Sequence, residues 1–97
     1  MKPVRILPEA VQELQETYSY YQALKAGLGR EFKAEFESAL ARISQFPEAW
    51  PRFSKRTRRY ILKRFPYSIL YRELRYAISD YAVTHLKRRP GNQKIDS

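Results

Sequence analysis

The chain has no cysteine, one histidine and three glycines, which stand at positions 27, 29 and 91. Without thiols no disulfide can stand in for a hydrophobic core, and the composition agrees with a reducing, cytoplasmic setting. One histidine and no cysteine cannot build a usual zinc site. The carboxylates of the C-terminal half, Glu73, Asp80 and Asp96, are too scattered for a metal-dependent nuclease, so neither metal nor cofactor is expected. Dispersed glycines fit no phosphate-cradling loop. No stretch approaches the 18 or so consecutive apolar residues of a membrane span. The N-terminal MKPVRILPEAV places proline and arginine where a signal peptide carries its apolar region, so no membrane association is expected.

What is present is aromatic and cationic. Eight tyrosines, five phenylalanines and one tryptophan, within a hydrophobic content of 43%, are too many for a disordered chain despite 30% charged residues. Ninety-seven residues support a single core, hence one domain over residues 1–97. The net charge of +9 is unevenly placed: residues 1–50 hold six Lys/Arg against seven Asp/Glu, and residues 51–97 hold thirteen against three. The C-terminal half therefore carries the cationic surface and points to an anionic partner.

Local patterns set out the elements. VRIL, residues 4–7, lies between Pro3 and Pro8 and reads as a short strand followed by a helix with proline in its first turn. Val11, Leu14, Tyr18 and Tyr21 share one face of that helix, which Gly27 is expected to stop. Leu28, Phe32, Phe36, Leu40 and Ile43 mark a second helix ending before Pro47. Two helices joined by two or three residues lie antiparallel, and their apolar stripes need a sheet to cover them. PEAWPRFSKRTR is a loop whose Trp50 and Phe53 are expected to close one end of the core.

RYILKRF and YSILYR read as strands meeting at Pro66, and YAISDYAVTH as a third, with a turn at Glu73-Leu74-Arg75. Regular alternation puts Ile61, Lys63 and Phe65 on one face and Tyr60, Leu62 and Arg64 on the other. Because neither face is purely apolar, one is expected under the helices and the other partly open beneath lysine and arginine stems. The fold class is α+β, in the order β-α-α-β-β-β: an N-terminal strand and an antiparallel helical hairpin packed on a small, mainly antiparallel sheet.

Several segments together resemble the RelE/ParE superfamily of toxins from bacterial toxin–antitoxin modules, the plasmid-stabilisation type. They are Ala10, Glu13 and Leu14 with the aromatic cluster one turn later, GLGREF at 27–32, FPEAWP at 46–51, RYILKRFPYSILYR at 59–72 and AVTHLKRRP at 82–90. The resemblance implies a cognate antitoxin whose acidic or amphipathic C-terminal segment wraps the toxin, on a surface the sequence does not identify. It also leaves two branches: ParE-like members inhibit DNA gyrase by binding, and RelE-like members cut messenger RNA on the ribosome.

Cleavage through the 2′-hydroxyl needs a base, an acid and cations to stabilise the phosphorane. RelE-like nucleases draw on lysines and arginines together with a C-terminal tyrosine or histidine, and LKRRPGNQKIDS has neither. The sequence therefore favours the ParE-like branch without enzymatic chemistry, with ribosome-dependent mRNA endonuclease as the alternative. His85, with an unperturbed pKa of about 6.5, would be the catalytic residue of that alternative. Arg59, Lys63, Arg64, His85, Arg88 and Arg89 are the expected target- or phosphate-binding residues.

Overall fold

The computed structural model describes residues 3–74 and 77–85, with side chains through Ile78. Strand β1 (Val4–Ile6) leads through Leu7 into helix α1 (Pro8–Leu24). Pro8 occupies the first helical turn, where its missing N–H has no helical partner to lose, and Glu9 faces the positive end of the helix dipole. The helix closes at Lys25, whose N–H donates to the Tyr21 carbonyl at 3.1 Å. Gly27 therefore does not end α1 as expected. It is the N-cap of α2 (Leu28–Gln45), in left-handed backbone at φ 90°.

No side chain of Gly27 can cap α2, and the acceptor comes from across the hairpin: Gln22 Oε1 accepts the Gly29 N–H at 3.0 Å. This contact needs α1 and α2 to be nearly touching. An atom at the Cβ position of residue 29 would sit 2.7 Å from the Tyr18 carbonyl oxygen, so glycine is required there by closeness rather than by backbone angle.

The remaining strands are β2 (Arg58–Ile61), β3 (Tyr67–Glu73) and β4 (Ile78–His85), in the sheet order β1-β4-β3-β2. The β2–β3 and β3–β4 pairs are antiparallel, while β1 runs parallel to β4 with Val4 opposite Ile78 and Ile6 opposite Asp80. The expected α+β architecture is the one observed. In the β3–β4 turn, Leu74 N–H donates to the Ala77 carbonyl; Arg75 and the expected start of β4 at Tyr76 lie outside the described residues.

The core lies between the helical hairpin and one face of the sheet. Ala10 and Tyr21 from α1, Phe32, Phe36, Ala39 and Ile43 from α2, and Tyr60, Ile69, Tyr71 and Ile78 from the sheet form its main body. Phe32 meets two rings edge to face, as the ring quadrupole favours: it lies 5.4 Å from Phe65 and 5.8 Å from Tyr67, centroid to centroid.

Three expectations about this core are corrected. Strand β2 ends at Ile61 instead of continuing to Phe65, because the Lys63 and Arg64 amides turn away to the carboxylate of Glu35 on α2. Alternation stops with it, and Phe65 swings into the core beside Tyr21 while Ile61 and Lys63 stay exposed. On α1, Val11 belongs to the apolar stripe yet is 38% exposed. The loop aromatics also divide: Trp50 packs on Tyr60 at 4.6 Å, but Phe53 lies half-buried beneath the Arg59 guanidinium, outside the core.

Ser68 and Leu70, on the sheet face away from the helices, are buried as well, so that face is closed at β3. The edge of β2 is short and largely blocked. The Arg59 N–H donates to the Pro51 carbonyl at 3.0 Å, Arg52 bridges Arg58, and Glu35 takes the next outward-facing amide beyond Ile61.

Candidate functional site

Of the cations expected to meet the target, one is engaged within the fold. Arg64 is bound back onto α2, with Nη1 3.2 Å from Glu31 Oε1 and Nε 3.3 Å from Glu35 Oε1. Glu35 also accepts the backbone N–H groups of Lys63 and Arg64, so one carboxylate holds two successive amides of the turn that follows β2. Lys63 is exposed at its tip. Arg59 stands on the other side of Ile61, its guanidinium 5.4 Å from the centre of the Phe53 ring.

His85 is the last residue of β4, paired through its backbone with Tyr67 at the end of the sheet near this turn. Its side chain, and all of Arg88 and Arg89, lie outside the described residues. The register thus brings the His85 backbone to the same end of the sheet as Lys63 and Arg64, and Arg59 lies further along β2. Among the described residues no group of three or more His, Cys, Asp or Glu is arranged to hold a metal ion.

A second feature is apolar. Between the helices and β1 runs a groove of about 520 Å³, with Val11, Leu14 and Tyr18 from α1 on one wall and Phe32, Phe36 and Leu40 from α2 on the other. Ile6 closes its end, and Gln15, Ser19, Lys33 and Glu37 mark the polar rim. The stripes read from the sequence are therefore only partly covered by the sheet. The opening is on the α1 side, where Val11 is 38% exposed, while Phe32 and Phe36 of α2 are buried. A mixed apolar floor with a polar rim is the composition of a surface that another chain covers.

Arg58 and Tyr71 fix the wall beside the cationic loop. Arg58 Nη1 donates to the Trp50 carbonyl at 2.7 Å and to the Glu48 carbonyl at 3.3 Å, and the Tyr71 hydroxyl donates to the Pro47 carbonyl at 2.6 Å. Burial holds the Tyr71 hydroxyl far above its ordinary pKa, with Arg58 opposing and Glu73 reinforcing the effect. Tyr21 is raised for the same first reason, burial, helped by Tyr67 and Tyr20. Both are core phenols, protonated near pH 7. The indole Nε1 of Trp50 is buried without a hydrogen-bond partner among the described residues.

Sequence reasoning missed Glu35, whose role depends on a contact across 28 residues. It also passed over Arg52, Lys55 and Arg56, which it placed in a loop without assigning them a role. Their density was the available signal.

The family model described as "ParE toxin of type II toxin-antitoxin system, parDE" matches residues 4–89, from β1 past the end of β4. The chain belongs to the ParE toxin family. Among curated proteins no relative matches it. Of solved structures, a chain of "Chromosomal ParDE TA system from P. aeruginosa" superposes with a TM-score of 0.79 at 18% identity, covering 90% of this chain and 98% of that one. At that identity the likeness is one of fold.

Among the described residues no helix is long and apolar enough to cross a membrane. As a member of this family the chain is a type II toxin, and the RelE/ParE resemblance resolves to its ParE branch.

Proposed function

We propose that this ParE-family chain acts in the cytoplasm by binding DNA gyrase and blocking its turnover, without chemistry of its own, and that a cognate antitoxin neutralises it. The observation that carries this is the family match over residues 4–89, which spans both helices and all four strands. Support comes from an Arg64 that is engaged by α2 rather than left to a phosphate.

The antitoxin is proposed to lay an amphipathic helix in the groove between α1 and α2. Nanomolar affinity needs about −12 kcal/mol, and exposed ion pairs give only about 0 to 1 kcal/mol each. Apolar burial of the kind offered by Val11, Leu14 and Tyr18 supplies the difference at about 25 cal/mol per Å².

Purified protein is expected to inhibit gyrase supercoiling while a reporter message is translated normally. Loss of translation with message cleavage, and intact supercoiling, would transfer the chain to the ribosome-dependent nuclease class, with His85 the first residue to substitute.

A further inference from the structure

The segment Arg52–Arg59 carries five cations in eight residues, and the structure separates them by role. Arg58 is consumed by the Trp50 and Glu48 carbonyls and is structural. Arg52, Lys55 and Arg56 are exposed, Arg59 is half-exposed, and among the described residues none of the four has an ion pair.

The turn that bears them is locked. Phe53 and Ser54 N–H groups both donate to the Thr57 carbonyl, at 2.9 and 3.2 Å, and the Ser54 and Thr57 hydroxyl oxygens lie 2.6 Å apart. Thr57 is fully buried, and Arg52 Nη1 bonds to the Lys55 carbonyl at 3.1 Å across the turn. A flexible basic loop would lose backbone entropy on binding, whereas the backbone that bears these charges is already held in place.

We propose that this turn is a binding site for the phosphodiester backbone of duplex DNA, contacted by Arg52, Lys55, Arg56 and Arg59. An acidic peptide is the competing anion, and the surroundings disfavour it. A peptide held by exposed ion pairs gains little without an apolar anchor. The exposed large hydrophobic side chains among the described residues are Val11, Tyr20, Leu24, Phe46 and Ile61, all outside this turn. Duplex DNA needs no such anchor, because release of its condensed counterions supplies the affinity. Single strands, which bind by stacking bases on aromatic rings, are disfavoured because the ring face of Phe53 is taken by Arg59. Three of the four contacts are arginines, whose planar donors match phosphate oxygens.

The test is fluorescence anisotropy of the full chain with a labelled 20-base-pair duplex, a single strand of the same length and a poly-glutamate peptide, between 50 and 200 mM salt. Four neutralised phosphates predict a log–log salt slope of at least about −3.6 and a loss of at least about 150-fold across that range. The variant K55Q/R56Q, which leaves the Arg52–Lys55 bond intact, is expected to keep the wild-type melting curve, bind more weakly, and show a slope shallower by about 1.8. The comparison variant R88Q/R89Q tests the other basic cluster. The proposal is overturned if the turn variant keeps a slope within 1 of wild type, if only R88Q/R89Q flattens it, or if the peptide or single strand binds more tightly than the duplex. The measurement contains no gyrase, so its outcome is independent of the supercoiling assay.

Discussion

Glu35 on α2 accepts the Arg64 backbone N–H at 3.2 Å and the Arg64 Nε at 3.3 Å, fastening the turn after β2 to the helical hairpin. The Glu35 side chain is only 14% exposed, so these bonds are better shielded than the Glu31–Arg64 pair, whose partners are both more than half exposed. Glu35→Ala is expected to cost about 1 to 3 kcal/mol, the range for charge-assisted bonds whose donors lose their acceptor. Glu31→Ala should cost less than about 0.5 kcal/mol. Urea unfolding of both variants measures the contrast. Hydrogen exchange at the Lys63 and Arg64 amides should quicken in the first alone.

Gly29→Ala sets helix propensity against crowding. Alanine would gain at most about 1 kcal/mol, the helix-interior figure, because Gly29 is only the second residue of α2, and its Cβ would stand 2.7 Å from the Tyr18 carbonyl and 2.8 Å from Gln22 Oε1. Overpacking costs of about 1 to 3 kcal/mol are larger, and the clash is with backbone that cannot rotate away. A lower melting temperature is expected, and an increase would show that the helices separate freely.

Stability should depend on pH at the alkaline end. The folded pKa values of Tyr71 and Tyr21 lie above the unfolded value, so the folded state holds its protons longer. Their contribution is fully present below about pH 10, the unfolded tyrosine value, and is lost as pH rises from there toward the folded values. Tyr71→Phe should flatten this decline. It should also lower stability at pH 7 by about 0.5 to 1.5 kcal/mol, because the Pro47 carbonyl loses its donor. Chemical denaturation at pH 7, 9 and 11 reads both effects.

Val11→Asp tests the groove. Val11 is exposed enough for the fold to tolerate a carboxylate, so the unfolding midpoint should move little. Antitoxin affinity should fall at least about tenfold, since burying a valine is worth about 1.5 kcal/mol or more. Titration calorimetry against the antitoxin decides it, and an unchanged affinity would place the partner elsewhere.

The elements whose causes are local were readable from the sequence. Leu28, Phe32, Phe36 and Ile43 carry a helical period, and α2 was found almost to its last residue. The misreadings occur where a distant group overrides the local pattern. Nothing near Phe65 says that its strand has already ended, because the cause is Glu35, beyond the whole Pro47–Thr57 loop. Gly27 looks like a helix stop and is instead a helix start, since both uses exploit the same freedom at positive φ. Val11 is apolar at the right spacing and still exposed, because periodicity identifies a stripe without saying how wide a neighbour will cover it. Of the expected site residues, Arg64 proved to be structurally engaged, and sequence spacing could not distinguish that use from a target contact.

The parallel ladder that sets Val4 against Ile78 has a kinetic meaning. The first strand to be synthesised lies at the sheet's margin and must wait for the last strand before it has a neighbour, a closure costing on the order of 4 kcal/mol in chain entropy. Hairpin and meander can form early from nearby segments, but the finished toxin cannot precede the emergence of β4 from the ribosome. A partner that needs the complete sheet can therefore engage a molecule only after β4 has left the ribosome.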